Sequence, residues 1–255
     1  MNLAARSLRS PRGRTAELVG DAANDAAARS RIAMSLAVPS DLPHVTLLRQ
    51  TPLVRALHTA IRAKDASRHT FVTKSDRLVR LLAEEALALL PAQPLTVETP
   101  CGPYEGVALP DGPALCAVSI LRAADCMLGV VRDMMPDISV GKVLIQRDEA
   151  TAQPVLMYSK LPPSVGELAG VLLLDPMLAT GGSAVTAVRV LCERGVKPES
   201  IIFVNVVSCE EGLRALAAAY PQVKVVTGAI DPILNEKKYI VPGLGDFGDR
   251  YFGTD

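Results

Sequence analysis

The chain has 255 residues, 49% of them hydrophobic and 21% charged, with 27 Lys+Arg against 27 Asp+Glu and a pI near 6.8. That is enough apolar material for one sizeable core or two small ones, and it provides no global basic field to attract a polyanion. No apolar run approaches the roughly 20 residues needed to cross a bilayer, so neither nucleic acid nor membrane is expected as a partner. Five cysteines, an odd number with no C-x-x-C pair and no apolar leader ahead of them, argue against a disulfide framework and for reduced thiols, with the cytoplasm as the expected location. The three histidines, His44, His58 and His69, lie far in sequence from the glycine-rich loops. They signal neither a zinc cluster nor a Ser-His-Asp triad and read as surface or half-buried residues.

Residues 1–41 are rich in Ala, Ser and Arg and show little periodicity, so they read as a disordered N-terminal extension ahead of a domain spanning 42–255. The same Arg- and Ser-rich, acid-poor start also fits an organellar transit peptide. From LPHVTLL onward the chain becomes regular. TKSDRLVRLLAEEALALLP predicts an amphipathic helix capped by Ser75 and Asp76 and stopped at Pro91, with Leu78, Leu81, Leu82, Ala86 and Leu89 on its apolar face. PALCAVSIL (113–121), GKVLIQR (141–147), VLLLD (171–175), SIIFVNVVS (200–208) and QVKVVTGAI (222–230) predict strands. RAADCMLGVVRDMM (122–135), SAVTAVRVLCERG (183–195) and EEGLRALAAAY (210–220) predict the helices between them. Strands alternating with such helices imply right-handed crossovers and an α/β fold with a mainly parallel central sheet flanked by helices.

In such a sheet, ligands bind beyond the carboxyl ends of the strands. VLLLDPMLATGGSAVTAV is the segment to weigh on that ground. A buried strand delivers Asp175, Pro176 is expected to stop the ladder, and two glycines bare the backbone as the next helix opens. The N–H groups of Thr180, Gly181, Gly182 and Ser183, the Thr180 and Ser183 hydroxyls, and the positive end of the helix dipole form a phosphate cradle. Asp175 is placed to accept hydrogen bonds from sugar hydroxyls. No G-K-[ST] follows, so this is not a Walker loop.

The chain closes on GLGDFGDRYFGTD (243–255), which contains a literal G-x-G-x-x-G and the DFG triplet of protein kinases. Both lookalikes fail on context. A dinucleotide fingerprint needs an acid about 20 residues on, and a kinase needs H-R-D upstream and A-P-E downstream. Gly243, Gly245 and Gly248 instead suit a loop whose backbone approaches a flat ligand, with Phe247 able to shield one side. Asp246 reads either as a functional acid or as a turn residue bonded to its own loop.

LLLDPMLATGGSA resembles the 5-phosphoribosyl 1-diphosphate (PRPP) loop of the type I phosphoribosyltransferases, in the Asp-Pro form used by the uracil phosphoribosyltransferases. SILRAADCM resembles the family's first PRPP-contacting segment, with Arg122 as its arginine, and VLIQRDEAT resembles a mobile arm carrying a second, Arg147. YIVPGLGDFGDRYFGT resembles the C-terminal base-recognition loop. The resemblance runs from about residue 42 to the end. Two positions depart from the family pattern: Ala124 stands where glycine is usual and Ser119 where proline is usual.

What the resemblance implies is a type I phosphoribosyltransferase fold with a C-terminal base-binding segment, and the reaction of uracil with PRPP to give UMP and diphosphate. Arg122, Arg147 and Asp246 would be catalytic. PRPP would be held by these three together with Asp175, Pro176, Met177, Leu178, Ala179, Thr180, Gly181, Gly182 and Ser183, and uracil by Ile240, Gly245, Asp246 and Phe247. Mg²⁺ would be carried mainly by PRPP, and no protein metal ligands are assigned. A homodimer or homotetramer and a GTP effector, which some relatives show, are family expectations. A second reading keeps the fold without the activity, as a regulatory protein that binds nucleotide or RNA. A third assigns another base, hypoxanthine or orotate.

Overall fold

The computed structural model describes residues 38–147 and 154–254, Arg147 by its backbone alone. Its main sheet has eight strands: β1 (Val45–Leu47), β4 (Leu115–Leu121), β5 (Ser139–Arg147), β6 (Pro154–Lys160), β7 (Gly170–Leu174), β8 (Met177–Leu178), β9 (Ile201–Cys209) and β10 (Lys224–Asp231). Their order is β1-β10-β9-β7-β4-β5-β6, with β8 also on β9, and every pairing is parallel except β5 with β6. The continuous apolar runs arise because both faces of the central strands are covered: all nine residues of β9 are buried.

Period-two alternation divides each strand between two cores. Leu115 and Ala117 of β4 join one apolar cluster, while Cys116, Val118 and Ile120 join the other. On the first face lie α1 (Pro52–Arg62), α2 (Arg68–Leu87), α3 (Asp125–Met134) and the C-terminal segment. On the second lie α4 (Gly182–Cys192) and α5 (Glu210–Ala219). Each fully buried Leu or Ile in these layers contributes about 1.5–3 kcal/mol.

The expected strands and helices stand where the patterns place them, with some differences. The helix expected to open at Ser75 and Asp76 starts instead at Arg68, capped by Ser67, whose side chain accepts from the Thr70 N–H at 3.2 Å. Ser75 and Asp76 are therefore interior to α2 rather than caps, and Ser75 is fully buried. Pro176 interrupts the ladder without ending it: its carbonyl accepts from Val206 and Val207, and β8 resumes pairing at the next residue, Met177. The hairpin of β2 (Gln93–Thr99) and β3 (Gly102–Ala108) was not anticipated, and Leu95, Val97, Tyr104 and Val107 on it are exposed. All five cysteines are free thiols. His58 is buried rather than half-exposed, and burial, aided by the nearby Arg62 charge, pushes its pKa down to about 4.

Residues 1–37 of the anticipated extension lie outside the described residues. Within the rest, Asp41 forms an ion pair with Arg214 and Leu42 is buried. No described helix is long and apolar enough to cross a membrane.

Candidate active site

Strand β7 ends at Leu174 and hands the chain to Asp175, half-buried at the carboxyl edge of the sheet. Gly181 then caps α4 with φ +84°, the left-handed region, and an added Cβ there would meet the Gly212 carbonyl at 2.9 Å. The two conditions together explain a glycine at this position. Asp175, Met177, Leu178, Ala179, Thr180, Gly181, Gly182 and Ser183 line one concavity at the start of α4, as anticipated, while Pro176 is buried behind it. Burial pushes the Asp175 carboxyl up to about 7, partly offset by the Met177 N–H.

Arg122 follows β4 across a cis Leu121–Arg122 peptide and is exposed. Its guanidinium donates to Asp249 Oδ1 at 2.6 Å and to Thr254 Oγ1 at 2.9 Å, both from the end of the chain. Hydrogen bonds from Thr254 and Arg122 hold the Asp249 carboxyl below its usual range. Gly248 leaves the room this requires, since a Cβ there would sit 3.3 Å from Arg122 Nη2.

The C-terminal segment runs through β12 (Ile240–Val241), a cis Val241–Pro242 peptide and α6 (Phe247–Phe252). Asp246 caps α6, accepting from the Asp249 N–H at 2.9 Å, so its local reading is realised. It also borders a cavity of about 370 Å³ together with Ile240, Gly245 and Phe247, the four residues anticipated as base-contacting. Ala123, beside Arg122, and Met177 and Ala179, from the loop before α4, line the same cavity. Phe247 is only 1% exposed, its ring edge-on to Phe71 and stacked on Tyr251. The side chain expected to cover a flat ligand is thus already engaged in the core.

Three segments more than 50 residues apart in sequence therefore meet at one mouth. Arg147 is the residue not described by side chain. Its backbone ends β5 opposite Pro154, and Pro154 lies against Gly182, so this end of the β5–β6 pair sits beside the start of α4.

A uracil phosphoribosyltransferase family model matches residues 48–254. The chain belongs to the uracil phosphoribosyltransferase family. It is 50% identical over 213 residues to the uracil phosphoribosyltransferase of Dictyostelium discoideum, covering 83% of this chain and 97% of that one. Among solved structures, the AQ2163 protein of Aquifex aeolicus is similar with a TM-score of 0.72 and 31% identity, over 83% of this chain and 99% of that one. The adenine phosphoribosyltransferase of Trypanosoma brucei shares the fold alone, with a TM-score of 0.51 and 14% identity over 84% of this chain and 92% of that one. The architecture is accordingly the type I phosphoribosyltransferase fold.

Within that family, both departures acquire a physical account. Ala124 has φ −71°, a conformation open to any residue, and it is fully buried in the apolar core, away from the cavity. Ser119 uses its hydroxyl, which proline lacks: it donates to Asp125 Oδ1 at 2.7 Å, and Lys142 of β5 holds the other carboxylate oxygen at 2.8 Å. Asp249, Thr254 and Ala123 are site residues that sequence reasoning missed. The D-x-x-D spacing of Asp246 and Asp249 at a helix start was the one available signal.

Proposed function

We propose that this chain transfers the phosphoribosyl group of PRPP to uracil, giving UMP and diphosphate. A bond forms between uracil N1 and ribose C1′ as the C1′–O bond to diphosphate breaks, and the N1 proton is released to water. The observation that carries this reading is the shared cavity, of a size suited to a small ligand, where the C-terminal loop meets the loop before α4 and the residue next to Arg122. The backbone N–H groups at the start of α4 hold the 5′-phosphate, aided by the helix dipole. Asp175 accepts from the ribose hydroxyls. Arg122, oriented by Asp249, and Arg147 on the arm stabilise charge growing on the leaving diphosphate. Ile240, Gly245, Asp246 and Phe247 present main-chain groups to the uracil edge.

The donor set fits a metal that arrives with PRPP. Among the described residues no three His, Cys, Asp or Glu side chains cluster as a metal cage, and Mg²⁺ leans on substrate phosphates and water. Carried in with PRPP, Mg²⁺ would supply further neutralisation of the leaving group.

We place the domain at 42–255 and the protein in the cytoplasm, with residues 1–41 as a tail or an organellar address. The partner we propose is a second copy, in a homodimer or homotetramer, and GTP is the candidate effector. Assays with uracil, orotate and hypoxanthine side by side, each with PRPP and with or without GTP, test the reading. Diphosphate release with uracil is expected, and turnover of either rival base but not of uracil would overturn it. A protein that binds UMP yet releases no diphosphate would favour the regulatory alternative.

A further inference from the structure

The loop that borders the base cavity is held from behind by charged groups that never reach the cavity. Arg62, in the last turn of α1, donates to both carboxylate oxygens of Asp231, at 2.7 and 2.9 Å, and the pair is largely buried. Both partners also bind a single residue of the loop. Asp231 Oδ2 accepts the Gly243 N–H at 2.9 Å, and Arg62 Nη1 donates to the Gly243 carbonyl at 3.0 Å. One residue further on, Arg250 donates to the Leu244 carbonyl at 2.7 Å. The same guanidinium caps the end of α1 through the Ile61 and Ala63 carbonyls, at 2.7 and 2.6 Å.

A buried ion pair is a weak source of stability, because desolvation offsets most of its attraction. Its geometry here defines something else. Gly243 has φ +56°, and a Cβ on it would collide with the Ile240 carbonyl, so only glycine fits this point of the loop. With the N–H and C=O of Gly243 and the C=O of Leu244 taken up from outside, the peptide planes entering Gly245 are fixed. Among the described residues no hydrogen bond engages the Gly245 N–H or C=O. Those groups stay available to a ligand, and their direction is set by α1.

We propose that Arg62, Asp231 and Arg250 are positioning residues for base recognition: the end of α1 acts through them as a jig that aims the Gly245–Phe247 backbone at uracil. This rests on the reading of the cavity as the uracil site. It separates the two substrates, because the hydrogen bonds of Arg62 and Asp231 run to each other and to Gly243, not to Arg122 or the loop before α4. The tests are Asp231→Asn, which removes the charge and the double acceptor, and Arg62→Lys. The lysine keeps the charge opposite Asp231 and preserves the fold, but it has no planar fork to reach Asp231 and Gly243 together.

Steady-state kinetics on both variants, with melting temperatures alongside, should show KM for uracil rising roughly tenfold in Asp231→Asn and at least threefold in Arg62→Lys, with KM for PRPP within twofold of the parent. A role in stability alone would lower the melting temperature and the active fraction while leaving both KM values unchanged, and that result overturns the proposal. Should Asp231→Asn not fold, an unchanged KM for uracil in Arg62→Lys overturns it on its own. Parent protein that binds PRPP but shows no turnover of uracil would instead sink the functional reading on which the proposal stands.

Discussion

At the scale of single residues, Asp249 and Asp175 carry the clearest consequences. Asp249 pairs with Arg122 and so restricts a long, exposed side chain that is proposed to meet PRPP. Replacing it with alanine leaves that ordering to be done on binding, so KM for PRPP should rise roughly tenfold while KM for uracil changes little, as initial-rate measurements would reveal. Asp175 makes a prediction in pH. Its folded value of about 7 lies above the usual 3.8, so between these limits the folded protein keeps a proton that the unfolded chain has released. Stability of the ligand-free protein therefore falls as pH rises through that window. Asp175→Asn should melt higher than the parent at pH 8 and alike at pH 4, in scans without PRPP. An equal difference at both pH values would contradict the assignment.

At the scale of elements, α4 depends on its first residue. An alanine at Gly181 would have to adopt φ +84° at a cost of about 1–2 kcal/mol and would press on the Gly212 carbonyl of α5. Gly181→Ala should lower the melting temperature by several degrees and weaken PRPP binding, since the displaced backbone is the proposed phosphate cradle. This element was legible in sequence because its requirements are local: an apolar strand, an acid, two glycines and a helix lie within 20 residues. The β2–β3 hairpin was not legible, because all seven residues of β2 are exposed and no face imposes alternation. The partners of Arg122 were hidden for a different reason. Asp249 and Thr254 lie 127 and 132 residues away in sequence, and no periodicity reports such a contact. The helix boundary at Arg68 was missed because Ser75, a good cap by type, is held in the core by its neighbours.

At the scale of the whole molecule, two features set expectations. The first is apolar surface left uncovered on the β2–β3 hairpin. Val107 is 70% exposed and Tyr104 61%, which a stable monomer gains nothing by displaying. If this arm is where copies meet, Tyr104→Asp with Val107→Asp should shift sedimentation toward monomer, while a parent that sediments as a monomer would remove that role. The second feature is how the site is distributed. The sheet's carboxyl edge supplies the loop before α4 and Arg122, and the chain's end bonds to Arg122 and shares a cavity with that loop, so the fold was readable from local patterns while the assembly of the site was not.

The double engagement of Phe247 bears on how this protein could change its substrate. Its ring belongs to the folding core with Phe71 and Tyr251, while the same residue borders the base cavity. Variation at 247 is therefore paid in stability before any new ligand is gained. Drift or directed evolution toward modified pyrimidines would find its freer positions at Ala123 and Tyr239, cavity-lining side chains that belong to neither apolar cluster.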